Sequence, residues 1–153
     1  MATEEDWYNY RTAVVDIDLP GGEWLRISPA MEGVVGAWPE QLDPPVFVIT
    51  AWNPDSQVRD PAVNRAQQEA LESELDLRGV DRHRSVGRDL GTPHFEEGSA
   101  VVGLDEEEAL AIGRRFGQAA VYRWTPEVWE VVSCAGDRRH PSGWEIGPVP
   151  SGS

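Results

Sequence analysis

This 153-residue chain contains no lysine, one cysteine and no apolar run long enough to cross a bilayer. A lone Cys134 excludes an internal disulfide and makes a reducing cytoplasm the simplest compartment. The opening Met1-Ala2-Thr3-Glu4-Glu5-Asp6 is acidic and lacks the basic-then-apolar order of a secretory signal. Signatures of common chemistry are missing too: there is no Gly-x-Ser-x-Gly elbow, Walker loop or Gly-x-Gly-x-x-Gly fingerprint. His83, His94, His140, Cys134 and Glu96 are metal-ligand types, but their spacing matches no compact zinc motif. No metal and no cofactor is therefore expected.

Positive charge is also scarce. The 13 basic residues, all arginine, face 27 acidic ones, for a net charge of −14. Such a chain is repelled by phosphate backbones, so nucleic-acid binding is not expected. The acidity suits solubility, docking on a basic protein surface, or mimicry of nucleic acid. The absence of lysine fits coding bias or salt adaptation.

What is present is a soluble composition, with 40% hydrophobic residues, and a length that fits one domain. Residues 12–18 (TAVVDID) alternate as a strand, Pro20-Gly21-Gly22 marks a turn, and Trp24, Leu25 and Ile27 suggest the returning strand. Residues 28–45 read as mainly irregular, with a short helix after Pro29 as an option. The run Val46-Phe47-Val48-Ile49-Thr50-Ala51-Trp52 is a buried strand that stops on Asn53-Pro54. A helix follows, with Asp60 as N-cap, Pro61 in the first turn and Gly79 as stop. Val63, Ala66, Ala70, Leu71 and Leu75 are expected on its buried face. An Arg-rich edge strand over 80–86, a loop over 87–98 and a buried strand over 99–104 come next. Asp105 with Glu108 forms a capping box for a second helix that Gly117 ends. Residues 119–124 and 128–132 read as a hairpin in which Trp124 and Trp129 pair.

From residue 46 the order is thus strand, helix, strand, strand, helix, strand, plus one further strand. That order predicts an α+β fold, a ferredoxin-like split βαβ sandwich with an added N-terminal hairpin, over residues 1–134. Another strand order is the alternative. Residues 135–153, rich in Gly, Pro and Ser, read as an extended tail that Trp144 and Ile146 pin in part.

Three segments carry a resemblance: Ile49-Thr50-Ala51-Trp52-Asn53-Pro54, then Asn64-Arg65, then Arg115-Phe116-Gly117-Gln118-Ala119-Ala120. In their order and separation, residues 10–132 resemble the bacterial family catalogued as domain of unknown function 3293. The resemblance implies no activity, cofactor or catalytic residue, and residues 83–97 depart from the family pattern.

The candidate site is the loop after the buried strand. Trp52, Asn53, Ser56 and Arg59 would gather at a helix N-terminus, whose free N–H groups and dipole suit an anion. Asn64 would reach back to Asn53, and Gln118 opens a later strand. A purely structural reading has Trp52 in the core and the amides bonding backbone. Two functions are open. One is a non-catalytic binding or regulatory module for a basic protein partner or a small anionic ligand. The other is a small enzyme with Asn53, Asn64, His94 and Glu96 around an anionic substrate. The enzyme requires His94 or Glu96 within hydrogen-bond reach of the Asn53 loop, facing an open pocket.

Overall fold

Among the described residues, eight antiparallel strands close into a barrel, and three helices lie against it. The computed structural model describes residues 2–54 and 57–150. In chain order the elements are α1 (Glu4–Thr12), β1 (Val14–Leu19), β2 (Glu23–Ala30), β3 (Val46–Thr50), α2 (Pro61–Arg78), β4 (Asp81–Arg88), β5 (Phe95–Val102), α3 (Glu106–Arg115), β6 (Ala120–Trp124), β7 (Trp129–Ser133) and β8 (Arg139–Pro148). Around the barrel the strands run β1-β2-β8-β7-β6-β3-β5-β4, and β4 pairs with β1 again.

This overturns the ferredoxin-like sandwich. The element order from β3 to β6 stands, but an open sheet would leave edges at β4 and β6. Here β4 pairs with β1, Val14 opposite Arg88 and Ile17 opposite Ser85. From β6 the sheet continues through β7 and β8 to β2. Full closure removes every sheet edge. The stretch read as a tail supplies β8, with Trp144 1% exposed. Residues 151–153 of that stretch lie outside the described residues. No helix forms after Pro29, which sits inside β2 opposite Trp144.

Local signals explain the helices. Asp60 caps α2 by accepting from the Ala62 N–H at 2.8 Å, and Gly79 ends it at φ 72°. Asp105 and Glu108 close a reciprocal capping box on α3. The buried face of α2 is Asn64, Gln68, Leu71 and Leu75, whereas Val63 is exposed. Two amides therefore take the buried face together with Leu71 and Leu75, and Ala66 and Ala70 are exposed like Val63.

β3 is apolar on both faces because it is covered on both. Phe47 and Ile49 pack outward with Leu71 and Leu75 of α2 and with Ala109 and Ile112 of α3. Val46 and Val48 face the barrel interior with Ala100, Trp124, Trp129 and Trp144. β4 tolerates its arginines because alternate side chains face out. Arg82 pairs with Asp76, and Arg88 joins Arg26 on the buried Asp16. The expected edge strand is an interior member of a closed barrel.

Candidate functional site

The barrel interior differs along its axis. At one end Trp124, Trp129 and Trp144 are nearly inaccessible, and Trp38 lies 4.2 Å from Trp124, centroid to centroid. This end is plugged. Towards the other end the inward residues shrink: Val102, Ala100, Gly98 along β5, and Trp124, Tyr122, Ala120 along β6. An eight-stranded barrel is just wide enough for side chains to fill or for one small ligand. Small residues here leave a cavity of about 330 Å³. Val15, Val48 and Tyr122 contribute apolar surface, and Ser85, Asn53, Glu96, His94 and Gln118 contribute polar groups. Asp6, Asn9 and Tyr10 of α1, with Arg88 and Asp89, also line it. Tyr122 donates to the Tyr10 carbonyl at 2.9 Å. Removal from water, with Glu96 and Tyr10 adding to it, holds the Tyr122 phenol above the ordinary tyrosine range.

Asn53 is the pivot of the adjoining loop. Its φ of 49° lies in the left-handed region, which asparagine enters more readily than most residues. The Asn64 carbonyl oxygen accepts from the Asn53 backbone N–H at 2.8 Å, and Asn64 Nδ2 donates to Asn53 Oδ1 at 2.8 Å. The Arg59 backbone N–H also donates to Asn53 Oδ1, at 3.0 Å. That oxygen's two acceptor positions are thus engaged within the protein. Asn53 Nδ2 donates to Glu96 Oε2 at 3.2 Å, and His94 Nε2 lies 3.0 Å from the same oxygen. The loop therefore orients a carboxylate that faces the cavity.

Of the residues singled out in the sequence, Asn53 and Gln118 line the cavity. Gln118 Nε2 donates to the Trp52 carbonyl at 3.0 Å, tying β6's entrance to the end of β3. Asn64 stands behind Asn53, not in the cavity, and Arg59 contributes its backbone N–H. Trp52 is 7% exposed and rests on Phe95 at 5.3 Å, so its ring packs instead of lining the cavity. Ser56 lies outside the described residues. His94 and Glu96 come together at the mouth because they are two apart at the start of β5. His83 is elsewhere, opposite Ala100 on β5, as is His140, opposite Val131 on β7. Cys134 is 2% exposed, and burial pushes its thiol up to about 11 despite nearby Arg114. The neighbouring arginines Arg138 and Arg139 do not activate it.

Nothing local in the sequence marks Ser85, Gly87, Tyr10 or Tyr122 as site residues. Their one signal is the decline in size along β5 and β6, legible only once the register is known. For α1 a signal exists: Thr3 and Asp6 form a capping box, and Trp7 is buried beneath Arg138 at 4.4 Å.

No curated protein and no solved structure matches the chain. A family model does match, from Ile49 to Val121, a shorter span than residues 10–132; the N-terminal hairpin, β7 and β8 fall outside it. It covers the Asn53 loop, α2, the His94–Glu96 pair and Gln118. Residues 49–121 match the model of the family described as "Protein of unknown function (DUF3293)".

Proposed function

We propose that the protein is a non-catalytic binding module that takes one compact ligand at the open end of its barrel. The observation that carries this reading is the cavity of about 330 Å³, which sits where glycine, alanine and serine replace the tryptophans of the other end. Its size and mixed lining suit a small molecule. The lining also bears on charge. Asp6, Asp89 and Glu96 contribute three carboxylates, against Arg88, whose Nε is engaged by Asp16 at 2.9 Å. The α2 N-terminus already carries its own acceptor, Asp60. A ligand rich in hydrogen-bond donors fits better than the anion suggested by the sequence. The lone buried cysteine supports a reducing compartment, which we take to be the cytoplasm.

A thermal-shift screen of amines, polyols, carboxylates and phosphates tests the reading, because a native-state ligand raises the melting temperature. Gly87→Leu is the control. A Cβ at Gly87 meets only the Glu96 carbonyl, at 3.9 Å, and the larger side chain enters the cavity. Hits should stabilise the parent and not Gly87→Leu; equal stabilisation of both would place binding elsewhere.

One observation favours a second reading, a small acid–base enzyme. Glu96, within reach of Asn53 and His94, faces an open cavity, as a general base must. Turnover of a bound ligand that stops in Glu96→Gln while binding persists would decide for it.

A further inference from the structure

We infer that the ligand is a small organic ammonium ion, held between the Glu96 carboxylate and the Ser85 hydroxyl with its apolar body against Tyr122. This inference rests on the barrel-mouth reading and adds the ligand's chemistry to it.

Two independent observations converge. The first is Glu96. Its Oε2 is occupied by Asn53 and His94, and among the described residues no donor reaches its Oε1. A carboxylate so oriented and half-open to the cavity presents one free acceptor oxygen to a ligand. The second is Ser85. It is 2% exposed, lines the cavity, and its hydroxyl has no hydrogen-bond partner among the described residues. The little surface Ser85 keeps opens on the cavity, so its hydroxyl is available there to a ligand or to water. The register puts the two groups on neighbouring inward positions: Ser85 opposite Gly98, Glu96 opposite Gly87. Gly98 keeps the space between them clear, since a Cβ there would sit 3.0 Å from Ser85 Oγ.

An ammonium group supplies N–H donors that both oxygens can accept, and its charge is opposite to that of Asp6, Asp89 and Glu96. Tyr122 offers an aromatic surface to the attached hydrocarbon, or to the cation itself. A metal ion fits less well. Among the described residues no three His, Cys, Asp or Glu side chains gather closely enough to hold one.

The test uses three probes of matched shape, 2-phenylethylammonium, 2-phenylethanol and 3-phenylpropionate, titrated calorimetrically into the parent, Glu96→Gln, Ser85→Ala and Gly87→Leu. The ammonium should bind the parent most tightly, with affinity falling about tenfold or more in Glu96→Gln, the loss expected for a hydrogen bond to a charged group. Ser85→Ala should weaken it less, and Gly87→Leu should abolish it. Melting curves confirm that each variant is folded. If the alcohol or the carboxylate binds as well as the ammonium and is lost in Gly87→Leu, the ammonium inference fails and the barrel-mouth site stands. Ammonium binding unchanged in Gly87→Leu would sink both. No binding by any probe overturns the ammonium inference.

Discussion

The closed and open ends of the barrel are made from the same strands, a few residues apart. Along β6, Trp124 at the closed end gives way to Tyr122 and then Ala120; along β5, Val102 gives way to Ala100 and Gly98. One end is filled by indole rings in edge-to-face and tilted contacts, with Trp124 and Trp144 5.3 Å apart at 86°. The other holds a cavity, a half-open carboxylate and a hydroxyl without a partner among the described residues. Packing at the first end supplies stability that the second lacks, since cavity walls forgo the contacts a filled core makes. The comparison separates residues that hold the fold from residues available to a ligand.

The sharpest way to break this contrast is to empty the closed end. Trp124→Ala should cost about 3–5 kcal/mol, the range for deleting a large buried aromatic, read by urea denaturation. A loss below about 1 kcal/mol would mean the tryptophan plug is not a keystone. Next comes the Asn53 loop at the open end. Asn64→Ala removes two bonds to Asn53 and leaves a buried N–H unpaired, so a loss of about 1–3 kcal/mol is expected. Asn64→Asp keeps an acceptor for that N–H but sets a buried carboxylate oxygen against Asn53 Oδ1, so it should lose at least as much.

The open end responds to pH through Tyr122. Its phenol is held above the ordinary tyrosine value, so its contribution to stability is complete below about pH 10, where an exposed tyrosine ionises. That contribution is lost as pH rises towards the folded-state value. Tyr122→Phe should therefore flatten the fall in melting temperature above pH 10; an unchanged alkaline slope would contradict the assignment. The smallest stability effect belongs to Gly87→Leu. Its Cβ meets only the Glu96 carbonyl, at an ordinary contact distance of 3.9 Å, so the change should shift stability by about 1 kcal/mol or less, while removing ligand binding.

How much of this was legible in the sequence depends on range. The caps of α2 and α3 are local, and Asp60, Gly79 and the Asp105–Glu108 pair announced both helices. The abrupt end of β3 at Asn53-Pro54 likewise marked a loop that reaches the cavity. Closure was not legible, because it depends on residues 14–17 meeting 85–88 and 25–30 meeting 143–148. β8 was further disguised by Pro141 and Gly143. Its glycine is required, since a Cβ would run into the Gly33 backbone, yet glycine reads as loop. On α2 the buried face carries Asn64 and Gln68, so apolar spacing points to the neighbouring positions instead. His94-x-Glu96 was visible as a pair, but only a strand period puts both on one face at the barrel's mouth. Ser85 and Gly87 gave no local sign, being ordinary until the opposite strand is in place.

Amide chemical-shift mapping during a titration with 2-phenylethylammonium tests the central claim most directly. The account predicts perturbations concentrated at Ser85, Gly87, Glu96 and Gly98, with Trp124, Trp129 and Trp144 little moved. Perturbations centred outside the open end, or none at saturating probe, would contradict it.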